Sequence, residues 1–574
     1  MRTLLRTRTN GLLPRYSRRI ILVIFVLLIG LFFLWGRFFK AFSSIQPATG
    51  GVYTESIVGR IYNLNPLAPN ATAFDQDLHK LIFEGLLEYN PKTGQIEDGL
   101  AEFRIGDDGK SYEMVLKQSA RFSDGQKVTI DDILFTFEEI IQNPHFQNEN
   151  LNKAFEYVTI DVLDERTIKF TLPEQNVFFL SYLATPILPR KYFKGALIEE
   201  VLDPNYAFNL KPVGAGPYKL KTVIPERNGS YRVFLEPNED YYGAAPFIRS
   251  LVFYVYPDIE KLKAGQNEST VISKIPSQFE KVIQSQLSTE YEKKIYILPR
   301  YLGIFFNLDK PIAQKLALRK ALYVAVNKES LLAKEEGWQR IESPFFFEGI
   351  ETSFQVRNAT QARQILRSSG FPYSRDLQIR TDGVGGNPVI LNMVTSTSPA
   401  VYSRMAQSVA REWEDQLDVQ INVKVLNPKE FQDALKTRDY DILFFGTDFS
   451  ENFDSLSSWH SSQTNKLNFS NLTRDDVDFM IGEIRFTGAQ SDFFALSQKL
   501  DELVPVIPIA TPQYFTLIAK DVKGWEDSFG KLRRYADRFH SINQWYFIEE
   551  PAWNLGDKSK VWTFVKWIFG QAKP

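Results

Sequence analysis

The sequence has no cysteine among its 574 residues, and only four histidines and five methionines. Without thiols there are no disulfides, no thiolate zinc sites, no cysteine nucleophile and no cysteine to carry a lipid. The histidines, His79, His145, His460 and His540, stand far apart, with no H-x-x-x-H or H-E-x-x-H spacing to bring two imidazoles to one helix face. No G-x-S-x-G elbow occurs, and no P-loop lysine follows Gly383-Val384-Gly385-Gly386, which reads as a hairpin or loop. The acidic pairs Asp131-Asp132 and Asp475-Asp476 stand where helices begin, and the helix dipole accounts for them better than acid–base catalysis does. No catalytic residue, metal ligand set or cofactor site is therefore read from the chain, which favours a binder over an enzyme.

Outside the N-terminus basic residues are outnumbered by acidic ones. The first forty residues hold Arg2, Arg6, Arg8, Arg15, Arg18, Arg19, Arg37 and Lys40 and no acid, which leaves 59 of the 67 basic residues against all 69 acidic ones. A body this acidic is poorly suited to bind nucleic acid through its phosphates.

What the chain does have is an uncharged apolar run, Ile20–Gly36, behind that arginine-rich head. At about 1.5 Å per residue, the run with Phe38, Phe39 and Phe42 suffices for a hydrocarbon core roughly 30 Å thick. The positive-inside rule then leaves residues 1–19 as a cytoplasmic head, 20–36 as a single transmembrane anchor and the bulk outside the cytoplasm. The competing reading is a cleaved secretory signal, whose apolar region is usually ~7–15 residues before a small-residue site. Here Arg37 and Lys40 follow the run, and Ala41-Phe42-Ser43 is a poor site. Residues 37–52, small, polar and containing Pro47, Gly50 and Gly51, are expected to be a linker.

Beyond it the chain alternates strands and helices. Gly106–Gly109 reads as a hairpin turn into a strand from Ser111, and Thr129 with Asp132 as a helix cap. Thr167–Leu172, Tyr231–Glu236 and Ser250–Tyr256 alternate as strands. Pro311–Ala333 reads as one long amphipathic pattern. A helix opening at Ser398-Pro399 carries Val401, Met405, Val409 and Trp413 as a core stripe. The strand Gln420–Leu426 follows, and Ile442–Phe445 is unbroken enough to be a strand buried on both faces. This rhythm predicts an α/β lobe with a partly parallel sheet. The 14% aromatic content is read first as core, with an aromatic-lined cavity as the alternative.

Several of these stretches resemble, in order, the solute-binding proteins of peptide and nickel ABC importers, the dipeptide/oligopeptide-binding family (solute-binding family 5). The resemblance rests on Ile82-Phe83-Glu84-Gly85-Leu86-Leu87, Gly99-Leu100-Ala101-Glu102, Phe122–Thr129, Pro212-Val213-Gly214-Ala215-Gly216-Pro217-Tyr218-Lys219-Leu220, Tyr241-Tyr242-Gly243 and Pro257-Asp258. It continues through Phe306–Pro311, Leu318–Lys328, Tyr440-Asp441 and Val504–Pro508. Lys127 stands where proline is usual, and Gly337–Val356 follows no pattern of the family.

The resemblance implies a bilobed periplasmic-binding-protein-like α/β fold with mixed sheets that closes on a ligand. Lobe 1 would span 53–300, with an inserted subdomain at about 80–205, lobe 2 would span 301–510, and 511–574 would return to lobe 1. Pro299 and Asn307 become hinge candidates. It implies a receptor that binds oligopeptides and delivers them to an ABC permease and ATPase; a nickel chelate, haem or oligosaccharide is the same-fold alternative. By resemblance, Asp448 would meet a ligand ammonium, with Thr447, Phe449 and Trp459 beside it. Asp448 in a turn or cap, and Trp459 in the core, are the competing readings. A surface hydrolase or a structural or signalling protein is the alternative of another class.

Overall fold

The computed structural model describes residues 15–69, 71–265, 269–285, 291–346, 357–383, 386–449 and 453–553. Residues 1–14 of the basic head, Val384 and Gly385, residues 347–356 of the stretch without a family pattern, and 554–574 lie outside these. The chain divides into two compact units, Gly51–Trp545 and the paired termini, Met1–Gly50 with Tyr546–Pro574.

In the terminal unit, a helix spans Arg15–Phe42 and the strand Ser43–Ala48 pairs antiparallel with Ile548–Trp553. Where a linker is expected, the chain is thus the end of a helix and a strand. The pairing partner lies some five hundred residues away, so local sequence carries no trace of it. The side chains described from Ile20 to Phe33, and Trp35, are exposed. Among the described residues no helix is long and apolar enough to cross a membrane. The structure therefore does not show the transmembrane anchor expected at 20–36.

The body is organised by one long strand, Val506–Ala519. Its first half pairs antiparallel with Arg300–Phe306 and Trp338–Arg340; its second half pairs antiparallel with Val271–Pro276 and Tyr291–Ile297. From Arg300–Phe306 the sheet continues to Ile442–Asp448, then in parallel to Ile390–Ser396 and Gln420–Leu426. From Val271–Pro276 it continues in parallel to Val52–Val58 and Ser250–Tyr256, then antiparallel to Tyr231–Pro237 and Tyr218–Pro225. The result is the bilobed α/β fold with a mixed, curled sheet that the motif series implies.

Alternation explains why the central strands are apolar throughout. Leu302, Ile304 and Phe306 face a core formed with Leu322, Leu366, Met405 and Trp413. Tyr301 and Phe305 face a second core with Phe431, Ile481 and Leu500. Ile442 and Phe444 join the first and Leu443 the second, so the strand is buried on both faces as its composition predicts. The helix Ala400–Leu417 buries Val401, Met405, Val409 and Trp413, the stripe read from its spacing. The expected single helix across Pro311–Ala333 is instead two, Leu316–Ala325 and Lys328–Leu332. Asn327 breaks it because its side chain caps the second helix, accepting from the Ser330 N–H at 3.0 Å.

In the other half, Ala101–Ile105, Ser111–Leu116, Thr159–Val162 and Thr167–Thr171 form a separate four-stranded antiparallel sheet. Asp108 shapes its first turn by accepting from the N–H groups of Lys110 and Ser111, both at 2.9 Å. At the expected cap, Asp132 accepts from the Thr129 N–H and hydroxyl. Gly214 and Gly216 press against the end of the helix Ala73–Ile82. A Cβ on Gly214 would lie 2.1 Å from the Ile82 carbonyl oxygen. The glycines of that motif are thus needed for backbone-to-backbone packing.

Arg538 is fully buried and donates to Asp77 at 2.7 and 3.1 Å and to Glu55 at 2.8 Å. Tyr53 completes Glu55 with a 2.6 Å hydrogen bond. Burial pushes the Glu55 carboxyl up while Arg538 opposes it.

Candidate functional site

The two halves of the sheet meet where the chain passes from Tyr291–Ile297 through Leu298 and Pro299 to Arg300–Phe306, beside the middle of Val506–Ala519. A cavity of about 360 Å³ lies there. Pro276, Ser277 and Gln278 wall it from one half, Thr447, Asp448 and Tyr402 from the other, and Pro512–Tyr514 from the shared strand. Its volume is within the range of small-molecule pockets, roughly 300–1,000 Å³.

Asp448 is the last residue of Ile442–Asp448 and stands opposite Arg300 in the antiparallel register. That register creates a fork: Arg300 Nε lies 2.8 Å from Asp448 Oδ1, and Nη2 donates to Oδ2 at 3.2 Å. The remaining Arg300 nitrogen, Nη1, donates to the Tyr514 hydroxyl at 3.1 Å. Burial disfavours the Arg300 charge, but Tyr514 and Asp448 outweigh it and raise its pKa above the ordinary guanidinium value. The Asp448 side chain is 68% exposed, so the pair holds geometry more than it adds stability. A ligand ammonium arriving at Asp448 meets a carboxylate that already has a cation.

Thr447 lines the same wall. Phe449 and Trp459 do not: both are buried in the second core, where Phe449 meets Phe345 edge-on at 5.5 Å. For Trp459 the core placement is the competing reading made from the sequence. The Phe449 N–H donates to the Pro299 carbonyl at 2.7 Å, which fastens the end of one cavity strand to the crossing. Asn307 lies at the far end of Arg300–Phe306, fully buried, its amide donating to the carbonyls of Arg438 and Tyr440 at 3.0 Å each. His79, also in the core, has its ring nitrogen on the Asn63 carbonyl at 3.0 Å, and burial lowers its pKa to about 4.

Sequence reasoning missed Arg300, Tyr402, Trp338 and Tyr514. One signal for Tyr402 was present: Gly446 follows the apolar run Ile442–Phe445 within the same strand, and a glycine inside a strand marks a close approach. The Tyr402 hydroxyl fills that place, 2.0 Å from where a Gly446 Cβ would be. Burial pushes this hydroxyl up to about 12, with Arg300 opposing, so it stays protonated at neutral pH. Arg300 left no signal, because only the strand register pairs it with Asp448.

The model of the bacterial extracellular solute-binding proteins, family 5 (middle region), matches residues 95–467. The oligopeptide-binding protein AppA of Bacillus subtilis (strain 168) is 21% identical over 510 residues, covering 84% of this chain and 90% of AppA. The dipeptide-binding protein of Escherichia coli (strain K12) is 23% identical over 514 residues, 81% of this chain and 90% of that protein. Among solved structures, AppA from Bacillus subtilis in complex with a nonapeptide aligns with a TM-score of 0.68 at 19% identity, over 88% of this chain and 100% of that one. NikZ from Campylobacter jejuni in complex with Ni(L-His) gives 0.68 at 20% identity, over 86% and 99%. The structural likenesses speak for the fold, and the family match, which spans well over half the sequence, for membership: the chain belongs to the bacterial extracellular solute-binding proteins of family 5.

Proposed function

We propose that this chain is a receptor that binds oligopeptides in the cavity at the strand crossing and delivers them to the permease and ATPase of an ABC importer. The observation that carries the reading is a cavity walled by both halves of the sheet, beside the short passage Leu298-Pro299 and one shared strand. Such a site closes when the halves rotate about those two crossings. The lobes in this reading are 53–300 and 301–510, with the chain from 511 returning to the first. The hinge is placed at Pro299 and the middle of Val506–Ala519; Asn307, clamped to two carbonyls, moves with its lobe. Thr447 and Asp448 face the ligand, Asp448 as one half of its pair with Arg300. Relatives named for oligopeptide and dipeptide binding support the ligand class.

Thermal-shift screening of the purified protein against peptide mixtures tests this, with stabilisation by peptides as the expected result. A response to nickel–histidine and none to peptides would move the assignment to metal chelates, the ligand class seen in the NikZ complex. Robust hydrolysis of the peptides would replace the receptor reading with an enzyme.

The tether belongs to the same proposal: the apolar run 20–36 behind its arginines holds the receptor to the membrane, N-terminus in the cytoplasm. Support comes from the uncharged run and the helix Arg15–Phe42 that contains it. Carbonate-washed membranes are expected to retain the full chain and to lose a variant lacking 1–43. A mature N-terminus near residue 44 would remove the tether and leave the receptor.

A further inference from the structure

Away from the cavity, a short strap beside the four-stranded sheet reaches across to the helices of the other half. It runs from Gln175 to Phe178, between the strand Thr167–Thr171 and the helical turn Phe179–Tyr182. Asn176 folds it: its side-chain oxygen accepts from the Phe178 N–H at 3.1 Å, and its carbonyl from the Phe179 N–H at 3.0 Å and the Tyr112 hydroxyl at 3.1 Å. Two neighbouring rings are thereby sent in opposite directions. Phe179 is fully buried beside the four-stranded sheet, against Tyr112 at 5.0 Å and Phe155 at 5.3 Å. Phe178 instead packs on the second core, that of Tyr301, Phe305 and Leu500, where it meets Phe493 edge-on at 6.3 Å.

The strap also completes a helix end. The helix Asp475–Thr487 stops at Gly488, which is left-handed at φ of +63° and returns its N–H to the Ile484 carbonyl at 2.8 Å. The carbonyls that follow have no donor left within the helix. The strap supplies two: the Val177 N–H donates to the Arg485 carbonyl at 2.9 Å, and the Gln175 side-chain amide to the Phe486 carbonyl at 3.1 Å. Val177 lies so close to the cap that a Cβ on Gly488 would be 3.1 Å from its Cγ2. The Arg485 side chain pairs with the buried Asp454 at 3.2 Å, which keeps this helix end on its own side. Neither the strap nor the helix end lines the cavity.

We propose that the strap Gln175–Phe178 is a latch: it docks on the helix end Arg485–Gly488 when the two lobes meet and parts from it when they open. This rests on the two-lobe receptor reading and adds a control on ligand release that does not touch the ligand. The two sides of the contact belong to 53–300 and 301–510, which are joined through Leu298-Pro299 and the strand Val506–Ala519. Rotation about those crossings moves one side of the contact against the other. A half-buried ring and two hydrogen bonds to a helix end are cheap to give up, because water replaces the strap at the freed carbonyls. The contact is thus strong enough to bias the lobes and weak enough to reverse. A ligand enclosed in the closed form leaves more slowly the larger that bias is.

A chain without cysteine lets the contact be tested by one engineered bridge. A Gly488 Cβ would lie 3.8 Å from the Val177 Cβ, within the roughly 3.5–4.5 Å that a disulfide spans, so oxidation can lock the full-length double variant Val177→Cys/Gly488→Cys. Its reduced form is the control for the strain of a left-handed cysteine. Without peptide, small-angle X-ray scattering is expected to give the reduced form a larger radius of gyration than the bridged form. With a pool of short random-sequence peptides, calorimetry is expected to show binding to the reduced form and none to protein bridged beforehand. Equal radii, equal peptide binding by the two forms, or thiols that fail to bridge each overturn the latch and leave the receptor standing. A pool that binds neither the reduced variant nor the wild type overturns the peptide reading, and scattering still decides the latch. Where the double variant does not fold or bind, Phe178→Ala decides: peptides are expected to leave it ~tenfold faster than the wild type, and equal release rates overturn the latch.

Discussion

Buried acids in this protein are treated in two different ways. Asp77 and Glu55 are held by a guanidinium, whereas Glu84, 4% exposed, has the like charge of Glu88 near it, relieved only in part by Lys80 and Lys117. Burial, and then repulsion from Glu88, push the Glu84 carboxyl up to about 8, against about 4.5 when unfolded. The folded state thus holds a proton on Glu84 that the unfolded chain releases above about 4.5. Its favourable contribution is complete below that pH and is lost as the pH rises through about 8. Glu84→Gln, which mimics the protonated acid, is expected to stabilise the protein by ~1–3 kcal/mol near pH 8.5 and to leave stability near pH 4 unchanged. Melting curves of both proteins at the two pH values check this. Glu84 was visible in the sequence only as part of a motif; its burial next to Lys80 and Glu88 depends on contacts that no local pattern encodes.

Elements whose signals are local were legible, and those that depend on distant partners were not. The stripe Val401, Met405, Val409 and Trp413 found its face because a helix repeats every 3.6 residues whatever it packs against. The same holds for the doubly buried Ile442–Phe444. The break at Asn327 was missed because apolar periodicity outweighed one capping residue. Ser43–Ala48 was missed because its partner is the far end of the chain. For the cavity, Thr447 and Asp448 were reached through a motif, whereas Arg300 needed the register and Phe449 and Trp459 turned inward. The motif glycines are the reverse case: sequence flagged them and structure supplies the reason. Gly214→Ala would place a methyl 2.1 Å from the rigid carbonyl of Ile82, and is expected to cost ~1–3 kcal/mol by denaturant titration. Gly195→Ala, a glycine with open space around it but φ of +78°, serves as the comparison and is expected to cost ~1–2 kcal/mol, from the left-handed backbone alone.

At the scale of the molecule, one residue late in the chain secures its beginning. Arg538 reaches a strand that starts at Val52 and a helix that ends at Ile82. Arg538→Met would strand Glu55 and Asp77 without their cation, and is expected to cost ~3–5 kcal/mol at neutral pH, measured by urea titration. Part of that loss should return at low pH, where the two acids can be protonated. The strand Val506–Ala519 ties the halves in another way, since each half takes a part of its hydrogen-bond ladder from the same segment. Pulling that segment from one half would leave raw ladder edges in both. The body therefore cannot melt by halves, and heat is expected to unfold it in a single calorimetric transition.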